Sequence, residues 1–261
     1  MINPRALCLV AIGAALALAG CDDNKPRMAQ GWVEADLIFV SPDETGRVET
    51  LNVREGDAVG KGAPLFTVDD DLQQADLVVR KAAVTNAQQT FDRAKELLKT
   101  AAGTQKTYDD AEAVLRQANA NLASSQTKLT RRRVFSPVTG TIEQVYYRAG
   151  EMVPAGKPVV AILPPPNLKI RFFVPEAALA DIKLGASVGV SCDSCDKGLT
   201  AKVSFIARSA EFTPPVIYSL DERAKLVFMV EARPEQPERF RVGQPISVAL
   251  PDKAAPKEAG K

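Results

Sequence analysis

A chain of 261 residues has room for one or two compact domains plus an extension. Its charge is balanced, 33 Lys and Arg against 32 Asp and Glu for a formal net charge of +1, so no overall field favours nucleic acid as a partner. Histidine is absent, which excludes Ser-His-Asp and Cys-His catalysis, HExxH zinc chemistry and any His-ligated metal, and lowers the expectation of an enzyme.

The N-terminus reads as an export signal. Arg5 and the α-amino group supply positive charge, and residues 6–19 form an apolar core too short and too rich in alanine for a transmembrane helix. The core ends in Leu18-Ala19-Gly20-Cys21, which resembles the lipobox of bacterial lipoproteins. That resemblance implies a signal peptide over 1–20 and acylation of Cys21 as the first residue of a lipidated leader, 21–30. An ordinary signal peptide with an incidental cysteine is the alternative. Several acyl chains on one residue anchor stably, at about 0.8 kcal/mol per buried CH₂. Asp22 follows directly; in enteric bacteria an Asp there resembles the signal for retention at the inner membrane, whereas other bacteria read different positions.

Residues 31–40 read as a strand that enters a motif written twice. Setting Thr45 on Thr139 aligns Gly46 with Gly140, Glu49 with Glu143, Arg54 with Arg148, Gly56 with Gly150, Val59 with Val153, Gly62 with Gly156 and Pro64 with Pro158. Apolar residues alternate through each copy and turn glycines follow, the pattern of short β-strands. About 25 residues bury too little apolar surface to offset their chain entropy, so the copies are expected to pack face to face as one small β-sandwich, 31–69 with 134–164. Their ends then lie side by side, and the segment between them leaves and returns at one point.

That segment, 70–133, contains no proline and a single glycine, Gly103. Asp69, Asp70 and Asp71 suit a helix N-terminus. Leu77, Val84, Phe91 and Leu98 recur every seven residues with Ala87, Ala94 and Ala101 three later; Tyr108, Leu115, Leu122 and Leu129 repeat the pattern with Ala111, Ala118 and Ser125. Such a seam predicts an antiparallel coiled-coil hairpin reversing at Gly103 and Thr104, each arm of roughly 30 residues reaching on the order of 45 Å. A lone heptad hairpin is more often scaffold than recognition device, but a rod this long inserted in so small a β-domain projects into solvent. Arg131-Arg132-Arg133 ends the second arm; solvated cations complementing the helix C-terminus are favoured there over a specific anion site. Ser136-Pro137-Val138-Thr139-Gly140 then echoes Ser41-Pro42-Asp43-Glu44-Thr45-Gly46 with one residue fewer.

Pro164-Pro165-Pro166 reads as a stiff joint. Beyond it, 169–174, 187–191, 201–207, 225–232 and 246–250 are β-rich, 175–184 makes one helical turn or two, and turn signals recur between them, predicting a small antiparallel β-barrel over 165–251. The tail 252–261 is expected to be disordered. Cys192 and Cys195 are the thiols left once Cys21 is acylated. A local structural disulfide is favoured over reduced cysteines or a metal shared between protomers, because one pair cannot complete a Cys₄ zinc site and a strand, rather than a helix N-terminus, runs into it.

The order strand, half-lipoyl motif, coiled-coil hairpin, half-lipoyl motif, β-barrel resembles the HlyD-type membrane fusion proteins, the periplasmic adaptors. The fold class is therefore mainly β with an α-helical hairpin: a split lipoyl-like sandwich plus a barrel. The segment Glu211-Phe212-Thr213-Pro214-Pro215-Val216-Ile217-Tyr218-Ser219 with Lys225-Leu226-Val227-Phe228 resembles the subgroup that partners ABC-type exporters. Adaptors that dock on TolC-like outer-membrane channels carry at the hairpin tip an Arg, a Leu four residues on and a Ser seven beyond that; those places hold Arg93, Leu97 and Thr104, and the Thr keeps the hydroxyl. The resemblance further implies a homo-oligomer of six copies, an inner-membrane exporter and an outer-membrane channel as partners, attachment to the inner membrane by the lipid, and neither cofactor nor metal. It also leaves little sequence for the family's membrane-proximal domain. A lipoyl or biotinyl carrier is disfavoured because the junction Thr67-Val68-Asp69-Asp70-Asp71 holds no lysine to modify. Two alternatives stay open: an envelope spacer without transport, and an adaptor for a proton-driven pump.

Overall fold

The computed structural model describes residues 27–193, 195–212 and 226–251. Cys21, Asp22, the tail 252–261 and most of the segment that resembles the ABC-partner subgroup lie outside them. The chain divides into two compact units, Ala35–Leu168 and Met1–Glu34 with Lys169–Lys261.

The strand expected over 31–40 is two strands. β1 (Met28–Ala35) is built into the barrel, whereas β2 (Ile38–Val40) belongs to the sandwich. The break falls at Asp36, whose N–H donates to the Asn167 carbonyl (3.1 Å) and whose carbonyl accepts from Asn167 Nδ2 (2.8 Å). Asn167, by its backbone carbonyl and its side-chain amide, takes over the bonds a continuous ladder would have made.

The sandwich consists of β2, β3 (Gly46–Leu51), β4 (Ala58–Val59), β5 (Pro64–Val68), β6 (Arg133–Phe135), β7 (Gly140–Val145), β8 (Met152–Val153) and β9 (Val160–Leu163). Its two sheets run β2-β9-β7-β4 and β6-β5-β3-β8, so each copy of the repeat lends a short strand to the other's sheet. The exchange is reciprocal in register. Ala58 and Val59 face Thr141 and Gly140; the equivalent Met152 and Val153 face Arg47 and Gly46.

Loop contacts obey the same two-fold relation. Gly56 N donates to the Ile142 carbonyl and Gly150 N to the Val48 carbonyl, both at 2.8 Å. Lys61 N reaches Thr139 Oγ1 and Ala155 N reaches Thr45 Oγ1. Gly56 and Gly150 sit at φ +90° and +95°, a left-handed turn conformation that a side chain disfavours, which is why glycine recurs at this place in both copies. Val48, Leu65, Phe66, Ile142, Val153, Val159 and Ile162 fill one shared core between the sheets.

Between the halves stand α1 (Asp71–Lys99) and α2 (Gln105–Thr130). Ala87, Ala94, Ala111 and Ser125 are buried in the seam, and Phe91 packs on Tyr108 with ring centroids 5.2 Å apart. At α1's start, Asp71 N donates to Asp69 Oδ1. The Asp76–Arg80 and Glu112–Arg116 pairs span one turn of their helices, each contributing a few tenths of a kcal/mol at most by the usual scale of helix ion pairs.

The second unit is a barrel. β10 (Leu168–Pro175), a single helical turn α3 (Glu176–Leu179), β11 (Ser187–Ser191), β12 (Leu199–Ile206), β13 (Glu211–Phe212), β14 (Leu226–Pro234) and β15 (Pro245–Ala249) follow in order. The sheet runs β10-β1-β15-β11-β12-β14, β14 pairs back on β10 to close it, and β13 adds to β14. Alternation sends Val33, Ile170, Phe172, Val188, Val203, Val230, Ile246 and Val248 inward, all buried. On the outside Arg171 bonds to Glu34 and to Glu231, each at 2.9 Å, tying the three strands at the closure. Among the described residues no helix is long and apolar enough to cross a membrane.

If the two copies form one cooperative core, truncating a buried residue of either copy must be felt throughout the sandwich. Ile142→Ala is expected to cost about 2–5 kcal/mol, the range for such core deletions, measured as a shift in urea midpoint with a single transition across the sandwich.

Candidate docking hairpin and its footing

At the far end of the rod, α1 stops because Ala101 turns to φ 56° and the next residues fold back on Leu97, whose carbonyl accepts from Ala102 N (2.9 Å) and Gly103 N (3.0 Å). Gly103 lies so close to Leu97 that a Cβ there would stand 3.1 Å from the leucine Cβ and 3.2 Å from its carbonyl carbon. Thr104 then caps α2: its hydroxyl accepts from Thr107 N (3.2 Å) and shares a 2.8 Å hydrogen bond with Thr107 Oγ1.

Leu97 is 42% exposed although it is a large aliphatic residue, and Val114 on the facing helix is 57% exposed. Both line an open groove of about 680 Å³ along one side of the hairpin, floored by the small seam residues Ala87, Ala94, Ala111 and Ala118. Arg93 lines this groove one turn before Leu97. Of the three tip residues singled out in the sequence, the structure therefore gathers Arg93 and Leu97 on one face and puts Thr104 at the reversal, with its hydroxyl engaged in the cap. Charge around them is locally paired. Lys99, bonded to Glu96 at 2.6 Å, holds that carboxyl below its ordinary range, and the Asp110 carboxylate raises Lys106 above its own.

The near end of the rod departs from expectation. Arg131 and Arg133 are exposed, but Arg132 is buried. Its Nη2 bonds to Glu44 at 3.0 Å, its Nη1 donates to the Thr45 carbonyl at 3.2 Å, and its carbonyl accepts from Val68 N at 2.8 Å. Gln73 of α1 donates to the same Glu44 carboxylate, and Arg131 pairs with Asp43 at 3.0 Å. By sequence the arginine run reads as solvated cations at a helix end; Arg132 is instead the footing of the rod. The physical reason is space: Gly46 leaves room for the guanidinium, because a Cβ there would lie 2.7 Å from Arg132 Nη1 and 2.3 Å from Val68 Cγ1. Asp43 and Glu44 escaped the sequence reading as functional residues. Their signal was present in the repeat, since the first copy's Ser-Pro loop is one residue longer than the second's and its acidic residues have no counterpart there.

In the barrel, Cys192 and Cys195 are joined by a disulfide beside the turn that follows β11. Among the described residues no cluster of three or more His, Cys, Asp or Glu side chains is placed to hold a metal ion.

Residues 37–164, the sandwich with its hairpin, match the family model of the RND MFP barrel-sandwich hybrid domain. The chain is 31% identical to the UPF0194 membrane protein in the asrC 5′ region of Acidithiobacillus ferridurans, over 85% of this chain and 86% of that one. It is 27% identical to the toluene efflux pump periplasmic linker protein TtgG of Pseudomonas putida, over 59% of this chain and 46% of that one. In fold it is similar to the membrane fusion protein Spr0693 from Streptococcus pneumoniae, with a TM-score of 0.68 and 19% identity, covering 87% of this chain and 100% of that one.

Burial separates the two arginines at the footing, with side chains 10% and 64% exposed for Arg132 and Arg131. Arg132→Ala removes the charge-assisted bonds to Glu44 and the Thr45 carbonyl and is expected to lower stability by about 2–3 kcal/mol, whereas Arg131→Ala stays within about 1 kcal/mol, both read by thermal or urea unfolding.

Proposed function

The chain belongs to the membrane fusion protein family of periplasmic adaptors, and on that premise we propose that it links an ABC-type exporter of the inner membrane to a TolC-like channel of the outer membrane. As a member of that family it is a linker of an efflux system in the periplasm and not an enzyme. The observation that carries the finer reading is the rod itself. A two-helix hairpin is held at one end by Arg132 and Glu44 and presents, at the other, an exposed leucine beside a cation and a hydroxyl-capped turn. Leu97 supplies apolar surface, Arg93 a charge-assisted donor for carboxylates or backbone carbonyls, and the turn at Thr104 fixes both relative to the helix ends. Thr104 contributes by shape as much as by its hydroxyl, which is occupied by the cap.

Cys21 is the proposed acylated residue and Asp22 the retention signal, so that the mature chain begins at the inner membrane. Six copies, with the sandwiches stacked into a ring, are the proposed assembly. A proton-driven pump is the second reading for the inner-membrane partner. It is favoured by the RND description of the matching domain and by the similarity to a toluene pump's linker, whereas the ABC reading rests on residues near 211–228.

Arg93→Asp combined with Leu97→Ser changes two exposed positions and is expected to leave folding intact while abolishing export and site-specific cross-linking of the tip to the channel. Unchanged export and cross-linking would show that Arg93 and Leu97 do not carry the docking, and a tip that cross-links to no channel even in the unaltered protein would favour a spacer without transport. Replacement of Cys21 by Ser is expected to move the protein from the membrane fraction to the soluble periplasm and to remove the acyl mass from its N-terminus. Retention in the membrane after that change would sink the lipid-anchor proposal.

A further inference from the structure

The disulfide closes a loop with a sequence separation of three between its cysteines, beside a strand pair that the ladder Val190 to Leu199 already holds. Closing so short a loop removes little entropy from the unfolded chain, so the bond adds little to a barrel that is closed by strand pairing. Both cysteines are half-buried and open to a reagent from solution. What surrounds their sulfurs points to chemistry.

Gln244, in the loop just before β15, donates its side-chain amide to Cys192 Sγ at 2.9 Å and lies 3.5 Å from Cys195 Sγ. The orientation of that amide is fixed, because its oxygen is taken by the Arg241 N–H at 3.0 Å, which leaves the NH₂ facing the sulfurs. Its backbone is fixed as well, with the Gln244 carbonyl accepting from Val33 N at 2.9 Å and Gly243 N donating to the Val33 carbonyl at 2.8 Å. The two loops are joined a second time by the Arg239–Asp196 ion pair at 2.9 Å. A neutral disulfide sulfur is a poor hydrogen-bond acceptor and a thiolate a strong one, so a donor held in this position gains strength when the bond is broken.

We propose that Cys192 and Cys195 form an exchangeable dithiol–disulfide site whose substrate is a vicinal dithiol. One thiolate of the substrate attacks Cys195 Sγ, a mixed disulfide forms, and the Cys192–Cys195 bond breaks with its electron pair leaving on Cys192, where the Gln244 N–H receives the charge. Thiolates stabilised in this way leave faster. The substrate's second thiolate then attacks its own sulfur in the mixed disulfide, releasing the Cys195 thiolate to take up a proton from water. Two electrons pass to the protein, and the substrate departs as a disulfide. Reduction changes what Gln244 holds and, through its backbone, is felt at β1. This site is independent of the hairpin and of the proposed partners.

The test uses the full chain with dithiothreitol as a small vicinal dithiol and reduced thioredoxin as a protein-borne one, scoring free thiols by mass-tagging while circular dichroism follows the fold. Reduction of the folded protein is expected. Reaction with dithiothreitol alone assigns small dithiols as substrate, and reaction with thioredoxin as well assigns a protein-borne dithiol. In the reduced protein at pH 7, iodoacetamide is expected to alkylate Cys192 about fivefold faster than Cys195, the net of a stabilised thiolate and its lower intrinsic nucleophilicity. Gln244→Glu keeps the acceptor for Arg241 N–H and removes the donor, and Gln244→Met removes both without adding charge. Either folded variant is expected to abolish the fivefold difference. Reduction that proceeds only as the protein unfolds, equal alkylation of the two cysteines, or a difference untouched by both variants would overturn the proposal.

Discussion

Neither copy of the repeat can bury its own apolar face. β4 needs β7 and β8 needs β3, and the residues that close the core, Val48 and Ile142 foremost, come one from each copy. This mutual dependence is the constraint from which the architecture follows. Once the copies are obliged to pair, the last residue of the first and the opening residue of the second are brought to adjacent strands, β5 and β6. Whatever sequence lies between them must leave and re-enter at that point. A long helical hairpin satisfies this condition because its own two ends are neighbours.

A perfect two-fold, however, offers the hairpin no preferred posture, and the structure departs from symmetry at the place where posture is set. The longer loop of the first copy carries Asp43 and Glu44, and these reach Arg131 and Arg132 after α2 while Gln73 of α1 reaches the same Glu44. Coulomb attraction between partly buried groups is weakly screened, so the inner pair can fix an angle that an exposed pair cannot. The glycine at position 46, shared with its symmetry mate Gly140, serves different neighbours in the two copies: Arg132 on one side, the Leu163 carbonyl on the other.

Most of this was readable in the sequence, because it depends on periodicities of two and seven and on glycines that recur at a fixed offset. The sandwich, the rod and its reversal at Gly103 are of that kind, and so is the barrel. What escaped depends on contacts between residues distant in sequence. The single strand expected over 31–40 was divided by Asn167, more than a hundred residues away, and alternation alone could not assign its halves to different sheets. The burial of Arg132 was hidden for the same reason, since a run of three arginines at a helix end gives no sign that one of them has a glycine-lined space opposite. At the tip, the family resemblance singles out Arg93 and Leu97, which line one groove, but the capping role of the Thr104 hydroxyl is a matter of backbone geometry at the turn. The amide beside the cysteines belongs to a loop some fifty residues on, and no local pattern announces it.

The two arms of the insert begin and end one hydrogen bond apart, at Val68 N and the Arg132 carbonyl. Length is therefore an independent variable of this design. Adding one heptad to both arms would extend the projection by about 10 Å while the seam stays in phase and every contact in the supporting β-layers is conserved. An addition to a single arm would slip the seam and carry the turn out of line. Changes in span are thus quantised and must be made in matched pairs, so a chain of this type can be fitted to a wider or narrower gap without renegotiating the rest of its fold.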